Sequence, residues 1–163
     1  MDTKQNVNGV TALALSPQDE LLAIGFEDGT VVLANTRNGV TVHKWPAHAA
    51  QVSDCHFTPD GTGLLTASHD ATAKLWKCPT GKLVRVYIGH HGRLYGCDIH
   101  RTGDLALTCS EDRTAKLFEM RTAKVVHTYK GHNDSVLDCA FHPTRPLIMT
   151  CSEDRTAMVR KLS

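Results

Sequence analysis

The sequence predicts an all-β fold in which one four-stranded antiparallel unit recurs every 42 residues. Three observations carry this expectation. Asp-x-Thr stands at Asp28/Thr30, Asp70/Thr72, Asp112/Thr114 and Asp154/Thr156, each pair 42 residues after the last. A catalytic site has no need of four copies of itself, whereas a repeat architecture does. The same step relates His48, His90 and His132, then Cys55, Cys97 and Cys139, Thr66, Thr108 and Thr150, and Ser68, Ser110 and Ser152. Between these columns the chain reads as short strands separated by turn chemistry, and no segment sustains a helical period for three turns.

The elements follow in order. In the first repeat, strands are expected at 10–15, 21–25, 30–35 and 41–45. In the second, the run 52–57 is closed by Thr58-Pro59-Asp60-Gly61, where Pro presets φ and Gly accepts a positive φ. A strand at 64–68 follows, then the tight His69-Asp70-Ala71 connection. The strand at 72–77 sends Ala73 and Leu75 to one face and Thr72, Lys74 and Trp76 to the other. After Pro79-Thr80-Gly81 comes the strand at 83–88. The third repeat predicts 94–99, 105–110, 114–119 and 125–129; the last predicts 136–141, 147–152 and 156–161. Four short strands joined by short turns form an antiparallel meander, and a meander repeated at this length is the signature of β-propeller blades. Residues 1–163 are expected to form a single domain, with repeats near 6–47, 48–89, 90–131 and 132–163.

Composition narrows the function class. Hydrophobic residues make up 41% and charged residues 21%, the mix of a folded globular chain. The N-terminus MDTKQNVNG lacks the apolar stretch of a signal peptide, and no run approaches the roughly 18 apolar residues of a membrane helix. These features point to a cytoplasmic protein, or a nuclear one, without a membrane partner. A net charge of +1 with dispersed basic residues argues against nucleic acid. Five of the six cysteines recur at repeat positions inside apolar strands, which reads as reduced core thiols. No Cys-x-x-Cys pair argues for zinc, and no Gly-rich loop argues for a nucleotide, so no cofactor is expected.

Gly89-His90, Gly131-His132, the Ser-x-Asp-x-Thr turns, and Ala-Lys-Leu-Trp at 73–76 with Ala-Lys-Leu-Phe at 115–118 make the chain resemble the WD-repeat β-propeller family over nearly its whole length. The resemblance implies a hydrogen-bonded network within each blade, joining a His, a Ser or Thr, an Asp and a Trp. His48, Thr66, Asp70 and Trp76 match it fully. In the next repeat His90, Thr108 and Asp112 match, but Phe118 replaces the Trp. In the last, His132, Thr150 and Asp154 match, with Arg160 at the ring position. In the first only Asp28 survives, beside Asn6, Ile24 and Ala34, and the Trp-Asp dipeptide is absent because Lys77 follows Trp76.

The same residues admit sharper readings. His48 with Asp70 could act as a base toward Thr66 or Ser68, but three equivalent sites in one chain suit a folding element better than catalysis. His90 and His91 point to opposite faces of an extended chain, and the periodic histidines lie on different blades, so neither set converges on a metal. The resemblance therefore implies a non-enzymatic interaction scaffold or adaptor for other proteins or peptides. Two alternatives stand beside it: a building block buried in a large assembly, and a fragment of a longer seven- or eight-bladed protein.

By the same resemblance, Gln51, Arg93 and Ser135, with Glu27, His69, Glu111 and Glu153, are expected on the narrower rim near the channel. Arg93 and nearby Tyr95 are residue types enriched at hot spots. The expected ligand is a peptide or loop carrying basic groups opposite Glu111 and Glu153. Finally, 163 residues fall short of four full periods, leaving the last blade without its outer strand, to which residues 1–3 could add only a stub. An open half-propeller, or part of a larger ring, is expected, with self-association or a partner completing it.

Overall fold

A computed structural model describes residues 9–162, so the expectations about Asn6 and residues 1–3 lie outside the described residues. The first sheet comprises β1 (Val10–Leu15), β2 (Leu21–Phe26), β3 (Thr30–Asn35) and β4 (Thr41–Pro46). The second holds β5 (Val52–Phe57), β6 (Gly63–Ser68), β7 (Ala73–Lys77) and β8 (Lys82–Tyr87). The third holds β9 (Leu94–Ile99), β10 (Leu105–Ser110), β11 (Ala115–Glu119) and β12 (Val125–Tyr129). The fourth has three described strands, β13 (Val136–Phe141), β14 (Leu147–Ser152) and β15 (Ala157–Lys161). Each sheet is antiparallel with neighbours in chain order, and the described residues close no ring.

Strand limits differ from the sequence reading where a side chain competes with the ladder. Thr72, Thr114 and Thr156 were expected to begin third strands, yet each lies just before one. Their backbone N–H and hydroxyl groups both donate to the Asp two residues earlier, at 2.8–3.0 and 2.6 Å, while Thr30, whose N–H also goes to its Asp, opens β3. The residue between that Asp and Thr has a positive φ in every repeat: Gly29, Ala71, Arg113 and Arg155. The carboxylate bonds help offset this left-handed conformation, which costs a non-glycine residue about 1 kcal/mol or more.

The core lies between sheets, because each sheet offers an apolar layer on both faces. Val31, Leu33 and Trp45 of the first sheet pack with Val52, Cys55, Phe57 and Trp76 of the second. Leu65, Ala73 and Tyr87 meet Leu94, Cys97, Ile99 and Phe118, and Leu107, Leu117 and Tyr129 meet Val136, Cys139, Phe141 and Ile148. Full burial of each larger side chain contributes about 1.5–3 kcal/mol, so the junctions, rather than isolated blades, hold the fold. All six cysteines are free, and burial raises the thiol pKa of Cys55, Cys97 and Cys139 well above the ordinary value.

Junctions also carry polar links. Tyr87 donates its hydroxyl to the Met120 carbonyl at 2.9 Å, whereas the Trp45 indole N–H one blade earlier is buried without a partner. Asp54 on β5 accepts the Cys97 N–H of β9 at 2.9 Å, and Asp98 on β9 accepts the Phe141 N–H of β13 at 2.7 Å. The first strands of neighbouring sheets are thus stitched by carboxylates to backbone amides.

Candidate functional site

Two constellations stand out, one inside each blade and one where the second and third blades meet. In the second blade, the loop before β5 carries His48, β6 carries Thr66, the following turn carries Asp70, and β7 carries Trp76. His48 Nδ1 donates to Asp70 Oδ2 at 2.8 Å; the neutral ring's Nε2, 2.7 Å from Thr66 Oγ1, then accepts the hydroxyl proton. The Trp76 indole donates to the same Thr66 oxygen at 2.9 Å. Asp70 also accepts from Ala49 N, Thr72 N and Thr72 Oγ1, so both carboxylate oxygens are engaged.

The electrostatics fit this bonding. Burial lowers the His48 pKa and outweighs the pull of Asp70, keeping the ring neutral. Burial alone would raise the Asp70 pKa, but the bonds from His48 and Thr72 hold it well below the usual carboxylate range. The third blade repeats the geometry: His90 meets Asp112 and Thr108, each at 2.8 Å. There the Phe118 ring packs tilted beside His90 and brings no N–H, so the Thr108 oxygen lacks the indole bond. In the fourth, His132 lies 2.9 Å from Asp154 and 2.8 Å from Thr150, while Arg160 turns to the Met158 sulfur at 2.7 Å. The Thr156 hydroxyl, with further bonds from Asn133 N, His132 and Thr156 N, holds Asp154 low. In the first blade Asp28 accepts the Thr30 N–H at 2.9 Å.

The structure gathers His69, Arg93, Tyr95 and Glu111 where the second and third blades meet. His69 and Tyr95 stack edge to face with centroids 5.5 Å apart. Glu111 N donates to the Arg93 carbonyl at 2.9 Å, and Arg93 N lies 3.3 Å from Glu111 Oε2. Burial and nearby Arg93 lower the His69 pKa; burial, Glu111 and Glu153 raise that of Tyr95. Glu153 therefore lies within the field of this cluster. Gln51 accepts the His69 N–H through its carbonyl at 3.0 Å and is half-buried. Ser135, whose carbonyl accepts the Glu153 N–H as those of Gln51 and Arg93 accept the His69 and Glu111 N–H groups, is buried, while Arg93 is exposed.

Sequence reasoning passed over the acidic column on the first strands. Asp54, Asp98 and Asp138, with His56, stand on the first strands of neighbouring sheets; His56 Nε2 lies 3.5 Å from Asp54, whose bond raises the histidine's pKa. Burial raises the pKa of Asp98. One signal was available, since Asp54 and Asp138 stand two full periods apart with Gly96 between them. Among the described residues no group of His, Cys, Asp or Glu has the arrangement to hold a metal, and no helix is long and apolar enough to cross a membrane.

Comparisons with known proteins agree with this architecture. A 61-residue stretch is 36% identical to WD repeat-containing protein 81 of Homo sapiens, covering 37% of this chain and 3% of that protein. A 62-residue stretch is 34% identical to the U3 small nucleolar RNA-associated protein 21 homolog of Schizosaccharomyces pombe, covering 38% and 7%. Another of 61 residues is 33% identical to eukaryotic translation initiation factor 3 subunit I of Bombyx mori, covering 37% and 18%. The matched stretches span a fifth or less of each of these relatives. The WD domain, G-beta repeat family matches residues 3–35, 39–77, 81–119 and 123–160, each of the last three joining the outer strand of one sheet to the first three strands of the next. With these four matches covering most of its length, the chain belongs to the WD40 repeat family.

Proposed function

We propose that the chain is a non-catalytic scaffold that presents the junction of its second and third blades to a protein partner. The reading is carried by the convergence of His69, Arg93, Tyr95 and Glu111 from two blades at one rim. An aromatic ring, a guanidinium and a carboxylate at one place are what a peptide-binding hot spot uses. Glu111 and Glu153 suit the partner to a loop or peptide carrying Lys or Arg.

The buried networks support the non-catalytic part of this reading. Thr66, the residue a His-Asp base would activate, is fully buried, and its oxygen is already engaged by His48 and Trp76. A substrate carbonyl has no route to it, so His48, Asp70, Thr66 and Trp76 serve the blade, as do their counterparts around His90 and His132. A reducing compartment, cytoplasmic or nuclear, suits six free thiols.

The test is an Arg93→Ala/Tyr95→Ala/Glu111→Ala variant compared with wild type for capture of partners, with thermal unfolding measured alongside. Loss of the captured proteins at unchanged Tm is the expected outcome. Full partner binding by the triple variant sinks the rim assignment.

A further inference from the structure

The first strands of the four sheets carry an unbalanced set of charges. Asp54, Asp98 and Asp138 are their acidic side chains, and His56 on β5 is their one basic group. The three carboxylates converge on one short segment of β9. Asp54 reaches it from β5, with Oδ2 accepting the Cys97 N–H at 2.9 Å. Asp138 reaches it from β13 and closes over Gly96, where an added Cβ would stand 3.2 Å from Asp138 Oδ1. Asp98 belongs to the segment itself and accepts the Phe141 N–H of β13 at 2.7 Å.

Gathering like charges at a partly buried place is unfavourable unless a counter-charge answers them. His56 is placed to do so, because its Nε2 lies 3.5 Å from the same Asp54 oxygen that takes the Cys97 N–H. Its side chain is 44% exposed, so protons reach it from solvent. β1, β2 and β6, which also pack against β5, carry no titratable side chain. The charged groups acting on His56 are therefore Asp54 on its own strand, Asp98 on β9 and Asp138 on β13. The bond to Asp54 raises the histidine's pKa, burial opposes the rise, and the three carboxylate charges add to it.

We propose that His56 is a pH-sensitive latch on the junction of the second and third blades. As imidazolium it balances the three carboxylates and holds Asp54 on the Cys97 N–H; as neutral imidazole it leaves them to repel one another and loosens that stitch. Because the folded His56 pKa is raised, this stabilisation is full below the unfolded value of about 6.5 and is lost as pH rises through the folded one. His48 titrates with the opposite sign and so cannot mimic the effect. The latch is independent of the rim reading, since it is measured on the chain without a partner.

The test is NMR titration and amide hydrogen exchange of the 163-residue chain. The His56 ring is expected to titrate above about pH 6.5 in wild type, and lower in Asp54→Asn. The protection factor of the Cys97 amide, divided by that of Leu117 within the third sheet, is expected to fall about two- to fivefold between about pH 6 and 8, the scale of one partly exposed ion pair. His56→Gln should show the low ratio at every pH, and His56→Lys, which keeps its charge, should restore the high ratio at about pH 8. A wild-type ratio that stays flat, or one that falls equally in His56→Gln, overturns the proposal. So does a wild-type His56 midpoint at or below about 6.5, or a His56→Lys variant that behaves like His56→Gln.

Discussion

At the scale of single residues, the repeated His, Thr and Asp columns carry their chemistry in saturated hydrogen bonds. Trp76→Phe converts the second blade's network into the form the third blade already has with Phe118. It removes one indole bond to Thr66 and is expected to cost about 0.5–1.5 kcal/mol in chemical denaturation. Asp70→Asn removes an ionised acceptor of four donors and is expected to cost about 1.5–3 kcal/mol at neutral pH. Because the folded Asp70 pKa lies below its unfolded value, its contribution is present above the unfolded pKa of about 3.9 and is lost as pH falls through the folded one. The Tm gap between wild type and Asp70→Asn should therefore be present at pH 7 and narrow below about pH 4. His48 acts in the same direction: its folded pKa is depressed, so acidification below about pH 6.5 protonates the unfolded ring first and costs stability.

At the scale of the element, turns show where a column comparison misleads. The residue after the turn Asp is Gly29, Ala71, Arg113 and Arg155, all with positive φ, which by itself suggests that alanine is acceptable at position 29. In the first blade, however, the loop before β5 folds onto this turn, and both Ala47 N and His48 N donate to the Gly29 carbonyl. A Cβ on Gly29 would stand 2.2 Å from the His48 carbonyl oxygen, whereas one on Gly39, also at positive φ, meets nothing within 4 Å. Gly39→Ala should cost about 1 kcal/mol, the strain of a left-handed residue, and Gly29→Ala distinctly more, since backbone must move. Urea denaturation of the two variants checks the ordering. The threonines after the turns show the same limit: all four give their N–H to the Asp two residues earlier, yet Thr30 opens its strand while Thr72, Thr114 and Thr156 lie just before theirs.

At the scale of the whole molecule, stability is a sum over junctions, and blades with two neighbours hold more of it than blades with one. Every residue of β6 is buried, and β10 is buried from Ala106 onward, while β15 alternates between exposed and half-buried. Native-state hydrogen exchange is expected to be slowest in β6 and β10 and markedly faster in β15. Equal protection across the four sheets would contradict a junction-limited fold.

The period of 42 determined by itself that the chain is a row of antiparallel meanders, because side-chain alternation and turn chemistry are local and recur in every copy. It also marked His48, Thr66, Asp70 and Trp76 as candidates, since polar residues recurring inside apolar strands need partners. Only the tertiary structure decided which carboxylates reach across blades, that His69 meets Tyr95, that Ser135 is buried, and that Leu13 and Val159 are exposed while Cys55 and Leu117, one period away, are buried. The physical reason is common to all four. A repeat encodes the geometry within a blade, whereas which side chains meet across a given junction depends on positions that differ from copy to copy, as Ala12, Asp54, Gly96 and Asp138 do.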